Sequence, residues 1–508
     1  MEAPQDPHVL DSLKSTHGGK PAHAGHASQF GRTAGGGGGS EGSKAEGGEV
    51  ECGEVGLASR KAPFLSESRD DTRIEHARVL LASFARRTAI HAPGDAARRY
   101  LWTDAFAVQA MLALARATGE SQHKADAFRL VELVHLHLGT HRLDDARVGW
   151  ISGLDAPTGE KHPTLGGLRI GKPLPERAAD APYDGRLEWE RDGQYYHYLT
   201  RWIEALCACA RASARGEARE RFLDSARELA HAMHASFVFE AWPGGPKRIQ
   251  WKMSIDLTRP QVHASGLADM LDGMATFASL EAAFEAVFEE ANMPDPVLAR
   301  AIAELRAMCD AAGTFATVDP LALGGLLLDV SRLVHLAASG ALARDLAYDR
   351  LVERLLVDID RGLEAFDRSG ALFTAIDRRL AFRELGLAIG LQSIGRLGAT
   401  ARCSTALVAA IAPRIDALAR YIPLSERIER AWLEPSAQAT EGWQSHVDIN
   451  EVMLAACLLP EVVLESGVVA TTGGGAAAEA GAGAGAIGGV GGGAGVEAGV
   501  GAGVGAPR

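Results

Sequence analysis

Asparagine is nearly absent from this chain: Asn292 and Asn450 are the two examples in 508 residues, and aromatic residues reach just 6%. The six Cys, at 52, 207, 209, 309, 403 and 457, never adopt the C-x-x-C spacing of a structural zinc site. Most sit within helical patterns, where a thiol serves as a small buried hydrophobe. No run of about 18 large apolar residues occurs, which argues against a membrane span. The opening Met1-Glu-Ala-Pro-Gln-Asp6 has no basic region followed by an apolar one, so no secretory signal is visible and a cytoplasmic protein is expected. Positive charge is in deficit too: 52 Lys and Arg face 65 Asp and Glu, a formal net charge of -13. That balance argues against nucleic acid, whose phosphates want a basic surface, and suits a neutral or cationic ligand. No Gly-x-Gly-x-x-Gly follows a strand pattern and no Gly-x-x-x-x-Gly-Lys-Ser/Thr occurs, so no nucleotide loop and no cofactor is expected. The one Gly-x-Ser-x-Gly match, Gly38-Gly-Ser40-Glu-Gly42, lacks the strand and helix of a nucleophile elbow.

Large apolar residues are scarce at both ends as well. Residues 1–65, with the run Gly35–Gly39 and scattered His and Ser, read as a disordered tail, and residues 467–508, irregular in Gly, Ala and Val, as a second. Gly does not recur strictly every third position there, which excludes collagen. A folded domain is expected over 66–466. Helical periodicity is nearly continuous within it and alternating strand patterns are nearly missing, so the fold class is all-α. The spacing predicts twelve helices, over 70–88, 101–118, 120–138, 193–213, 216–239, 265–289, 294–312, 320–339, 342–366, 380–398, 402–421 and 446–465. Pro413 and Pro460 each remove a backbone donor and should kink or end their helices.

The connections carry more information than the helices. Short turns at Gly119, 214–216, 292–295, Gly340 and Gly398 alternate with long links at 89–100, 139–192, 240–264, 313–319, 367–379 and 422–445. Short turns make antiparallel hairpins, so the long links gather at the other end. Helices after long links begin Trp102-Thr-Asp104, Gln194-Tyr-Tyr-His197, Ser265-Gly-Leu-Ala-Asp269, Pro320-Leu-Ala-Leu-Gly-Gly325, Phe382-Arg-Glu384 and His446-Val-Asp-Ile-Asn450. The plainest case starts at Asp192, a candidate N-cap, and continues as an apolar stripe of Tyr195, Tyr198, Leu199, Trp202, Ile203 and Leu206. In helix count, loop rhythm and polar helix starts the chain resembles the (α/α)6 toroid of the six-hairpin glycosidase-like superfamily. The resemblance implies a carbohydrate-active protein with carboxylates at the loop-rich mouth, and so a small-molecule or oligosaccharide ligand. Terpene cyclases share the toroid, but no Asp-x-Asp-Asp occurs and Gln438-Ala-Thr-Glu-Gly-Trp443 misses the Gln-Trp repeat spacing.

The link 139–192 is long enough to be a lid or binding loop and carries Glu188-Trp189-Glu190, two acids beside an indole. Sugar rings stack on aromatic faces and offer hydroxyls to carboxylates. A solvated acidic loop anchored by Trp189 is the plain alternative. Trp251-Lys252, Asp256 and Arg259 crowd the next link, where Asp256 is either a salt-bridge partner of Arg259 or a catalytic carboxylate. Asp104 is either a helix cap or the second carboxylate. Asp269 and Asp272, three apart, share one face, and their repulsion raises a pKa or is relieved by solvent. We assign catalysis to Asp104 and Asp256, stacking to Trp102, Trp189, Tyr195 and Trp251, and orientation to Arg259, Arg383 and His446. His197 lies at the same helix start. A pair of carboxylates implies glycoside hydrolysis, one protonating the leaving oxygen and the other activating water. A His base such as His197 or His446 would imply a sugar isomerase or epimerase instead, and a mouth filled by its own side chains would imply a binding scaffold. His135 and His137, two apart on a helix, diverge, and His231 with His234 lack a third ligand in their own helix, so no metal is expected.

Overall fold

The computed structural model describes residues 63–92, 98–287, 295–340, 346–401 and 406–459. Both expected tails lie outside these, apart from residues 63–65, which open the first helix. Helix α1 (Pro63–Arg87) leads to α2 (Leu101–Thr118) and α3 (Ser121–Leu138), and two short helices, α4 (Ala156–Lys161) and α5 (Leu187–Glu190), punctuate the long link that follows. Strand β1 (Gln194–Tyr195) runs directly into α6 (Tyr196–Ala212), which is followed by α7 (Glu217–Phe237), β2 (Val238–Glu240), β3 (Lys247–Ile249) and β4 (Lys252–Met253). The remainder is α8 (Leu267–Glu285), α9 (Pro296–Ala311), α10 (Pro320–Ala338), α11 (Leu346–Arg368), α12 (Ala381–Ala401), α13 (Ala406–Leu418), α14 (Ile422–Leu433), α15 (Pro435–Gln438), α16 (Glu441–Gln444) and α17 (Val447–Leu458).

Helix α2 buries every residue from Leu101 to Leu114, so it has no polar face to give to water and must lie inside. It packs on α6, α6 on α8, α8 on α10, α10 on α12, α12 on α17, and α17 returns to α2. The chain forms an (α/α)6 toroid. Helices α1, α3, α7, α9, α11, α13 and α14 pack outside this ring, α1 mainly against α17, α14 mainly against α12 and the others against their sequence neighbours. The apolar α10 is long enough to cross a membrane by composition, yet most of it is buried as an inner stave. Where α10 meets α12 the backbones touch: a Cβ on Gly390 would stand 2.6 Å from the Gly324 Cα, and one on Gly324 2.1 Å from the Gly386 carbonyl oxygen.

Inner helices begin at one end. Tyr100 and Tyr198 join the starts of α2 and α6 through their hydroxyls, 2.8 Å apart. His197 approaches Asp269 across α6 and α8. Arg383 at the start of α12 grips Asp319, the N-cap of α10, and the Phe382 amide donates to Asn450 of α17 at 3.1 Å. Ring closure thus gathers the long links into one mouth.

Four local expectations are corrected. Residues 422–445 form helices, not a link, because Pro423 stands in the first turn of α14, where its missing donor costs nothing. Helix α13 runs through Pro413, held by buried Ile411, Ile415 and Leu418 against the roughly 3 kcal/mol such an interruption costs. Gly398 lies within α12 and is not a turn. Asp192 does not cap α6, whose cap residue is Tyr195; it anchors the loop before it. Pro460 lies outside the described residues.

The backbone contact between α10 and α12 makes a sharp prediction. Gly390→Ala should destabilise by about 1–3 kcal/mol through overpacking. Gly325→Ala, where a Cβ meets nothing within 4 Å, should stabilise by about 0.5–1 kcal/mol through helix propensity. Urea unfolding midpoints of the two variants check this; equal shifts would contradict the contact.

Candidate functional site at the mouth of the ring

Strand β1 pairs antiparallel with β4, setting Tyr195 opposite Lys252 and drawing the 240–264 link across the start of α6. The Gln194 side chain ties the two long links together: it accepts from the Leu168 amide at 2.9 Å and donates to the carbonyls of Gly166 at 3.0 Å and Ile255 at 2.7 Å. Gly167, at φ +78°, leaves the room this amide occupies. Asp192 is fully buried and accepts from Arg169 at 2.6 Å and from the amides of Gly171 and Gly193 at 3.0 Å each. A carboxylate so supplied with donors orders the longest link.

These anchors build an aromatic shelf. Tyr195 stacks on His197 with ring centres 5.5 Å apart and meets Tyr198 edge-on at 5.1 Å. Trp189 lies 6.4 Å from Tyr195 and 5.3 Å from Trp251. The Trp251 indole donates to His197 Nδ1 at 3.2 Å. Nδ1 therefore accepts, and the ring's proton sits on Nε2. Burial pushes the His197 pKa down to about 4, although 32% of its side chain stays open. Beneath the shelf, Lys172 donates to the Trp189 carbonyl and Lys252 to those of Glu188 and Arg191, so both lysines grip the C-terminal end of α5 and hold Trp189 in place. Burial, reinforced by Lys172, brings Lys252 down to about 7.

Behind the shelf Asp269 occupies the first turn of α8. Its Oδ1 is 3.9 Å from His197 Nδ1, too far for a hydrogen bond, and its buried Oδ2 has no partner among the described residues. The carboxyl lies over Gly266, where a Cβ would fall 1.9 Å from Oδ2. Burial, then the neighbouring Asp272, raise its pKa to about 8, so it is mainly protonated at neutral pH. Asp272 behaves oppositely. Burial opposes its charge, but Arg201, Arg332 and the Thr200 hydroxyl together hold it below the usual carboxylate range. Arg201 also bonds Glu204 at 2.9 Å, and Arg332 reaches Glu204 and, at 3.3 Å, Asp329, whose pKa is raised by burial and by Asp272.

The other sequence candidates have partners of their own. Asp104 is buried, accepts from the Tyr100 amide at 3.1 Å and lies 3.5 Å from Arg99; burial raises it to about 6 against the pull of Arg99. Trp102 is buried against Phe106. Asp256 does not pair with Arg259. Its carboxylate accepts from Ser254 at 2.6 Å and Thr258 at 2.7 Å and meets Arg147 at 3.5 Å, contacts that together hold its pKa low despite burial. Arg259 instead donates to the Arg177 carbonyl. Nor does Arg383 pair with Glu384: Arg383 takes Asp319, and Glu384 takes Arg379 and the Trp432 indole. His446 packs its ring 5.8 Å from Phe382, on the far arc. Glu188 is buried on Arg177, while Glu190 is exposed.

Sequence reasoning passed over Arg201, Glu204, Asp329 and Arg332. Their signal was present: each pair stands three apart on an otherwise apolar inner helix, where charges are too costly to leave unpartnered. The histidine pairs are structural. His135 accepts from the Trp202 indole at 3.1 Å, His231 meets Asp295 at 2.8 Å and His234 meets Glu304 at 3.1 Å. Among the described residues no group of His, Cys, Asp and Glu could hold a metal ion.

Three solved structures are similar to the chain at low identity. The chain is similar to a family 76 glycoside hydrolase from a bovine Bacteroides thetaiotaomicron strain, at 10% identity and a TM-score of 0.42, covering 77% of each chain. It is also similar to cellobiose 2-epimerase from Bacillus thermoamylovorans, at 11% identity and a TM-score of 0.36, over 69% of this chain and 88% of that one. An unsaturated glucuronyl hydrolase specific for heparin follows at 10% identity and a TM-score of 0.27, over 56% and 83%. No family model and no curated protein matches the chain. Likeness at this level leaves substrate and reaction to the side chains.

The Asp269 carboxyl titrates near 8 in the folded chain against 3.8 in its absence of structure. Its contribution to stability is therefore complete below 3.8 and is lost as pH rises through 8. Asp269→Asn, neutral at every pH, should gain on the wild type from about pH 4 to pH 8 and hold that lead above it, as read from urea midpoints across the range. Parallel pH dependence of the two proteins would remove the raised pKa.

Proposed function

We propose that the mouth binds a carbohydrate and that the protein is a glycoside hydrolase in which Asp269 donates a proton to the departing glycosidic oxygen. The observation that carries this reading is the Asp269 carboxyl itself, protonated near neutral pH, with Oδ2 unpartnered behind a shelf of Tyr195, Trp189 and Trp251. A carboxylic acid kept neutral by its surroundings is a competent general acid, and aromatic faces beside it suit the apolar face of a sugar ring. His197 supports hydrolysis over isomerisation, because its Nδ1 is occupied by the Trp251 indole and its Nε2 carries the proton. It can donate to a hydroxyl but does not offer a free base.

Hydrolysis needs a second carboxylate, and we assign that role to Asp104. Held near 6, it is largely charged at the pH where Asp269 keeps its proton, the separation that acid and base roles require. Its link to the shelf runs through Tyr100, whose amide it accepts and whose hydroxyl bonds Tyr198. Asp256 is spent on its own loop. Arg383, like Asp256, is taken by a partner of its own, Asp319, which leaves His446 on the far arc to orient the rest of a longer ligand.

A screen of glycans against the full chain, followed by Asp269→Asn and Asp104→Asn singly, tests the assignment. Each variant should lose about two or more powers of ten in turnover. The melting temperature of Asp269→Asn should not fall. Full activity in Asp269→Asn, or loss through unfolding alone, would return Asp269 to a structural part.

A further inference from the structure

We infer that Trp251 is the positioning residue of the acid: by donating its indole hydrogen to His197 Nδ1, it denies Asp269 the neighbour that could bond its carboxylate or take its proton. The inference rests on the reading of Asp269 as proton donor and adds the group that keeps the proton there. Among the described residues His197 is the one basic group within ion-pair reach of Asp269, its Nδ1 standing 3.9 Å from Oδ1. Arg201, on the stave that carries His197, is spent on Asp272 and Glu204. Tyr196 faces α8 from the same stave, over Gly273, and its hydroxyl has no hydrogen-bond partner among the described residues. What happens at Nδ1 therefore bears directly on Asp269.

A neutral imidazole carries a proton on one ring nitrogen and a lone pair on the other. The Trp251 indole occupies the lone pair of Nδ1 from 3.2 Å, so the nitrogen that faces Asp269 neither accepts its proton nor offers one. Tyr195, stacked on the imidazole at 5.5 Å, and Tyr198, edge-on at 4.8 Å, hold that edge in place. Without the indole hydrogen a proton can sit on Nδ1, and a side-chain shift of about 1 Å then brings an N–H to Oδ1 within bonding distance. Such a bond favours the carboxylate over the acid. Burial favours the neutral form of both groups, and Asp272 raises both pKa values while Arg201 lowers both. The indole closes the contact through which the pair could become charged.

Nuclear magnetic resonance of the full chain with isotope-labelled histidine and aspartate tests this, the two signals being assigned by their loss in His197→Gln and Asp269→Asn. At neutral pH the wild type should show a bare Nδ1 and a protonated Nε2. Trp251→Phe keeps a ring on the shelf and removes the hydrogen, while the main chain of residue 251 stays bonded to Tyr196 and Ala264. It should place a proton on Nδ1 and lower the Asp269 titration by about one pH unit or more. In a His197→Phe background the same substitution should leave that titration unmoved, because the indole acts through the imidazole. A protonated Nδ1 in the wild type overturns the inference even if Trp251→Phe fails to fold, and so does an unchanged Asp269 titration in a folded Trp251→Phe. Neither result touches the glycan screen or the turnover of Asp269→Asn, on which the hydrolase reading stands. A wild-type Asp269 already charged at neutral pH removes both.

Discussion

A ring of inner helices can close only if every stave lies beside two others along its length. That constraint makes the staves apolar nearly all round, as α2 and α10 are, and it brings glycines into backbone contact where α10 meets α12. It also puts the first turns of neighbouring staves side by side, so Tyr100 finds Tyr198, His197 approaches Asp269, and Phe382 finds Asn450. The mouth is thus a consequence of closure and not a separately built feature. Outer helices only have to cover the apolar flanks that closure leaves exposed.

Inside such a ring a charge is costly, and the chamber behind the mouth holds several. Their arrangement resolves the cost unevenly. Arg201, Arg332 and Thr200 converge on Asp272 and keep it charged; Asp269 and Asp329, with weaker access to a cation, take up protons instead. Two aspartates three apart on α8 thereby acquire opposite protonation.

Loops complete the site through buried polar anchors. Asp192 and Lys172 bond main chain within 139–192, Lys252 reaches that link from 240–264, and Gln194 bonds both, so Trp189 and Trp251 are held by the packing of 139–192 and 240–264 against each other. Their rigidity bears on binding, because stacking surfaces fixed beforehand cost little to order when a ligand arrives.

Fold class and the six inner staves were determined by sequence alone, since periodicity and loop length are local properties that a chain carries wherever it goes. Tyr195 and His197 were legible for the same reason, as costly side chains at a helix start, and Trp189 and Trp251 as indoles in the two long links beside it. Which carboxylate holds a proton was decided only by tertiary structure. Asp256 and Arg259 are near neighbours in the chain yet turn to different partners, Arg147 and the Arg177 carbonyl, from a link a hundred residues or so away. Asp269 owes its proton to burial and to Asp272, and Asp272 owes its charge to arginines on α6 and α10. Protonation follows burial and neighbours in space, and those exist only once the ring has closed.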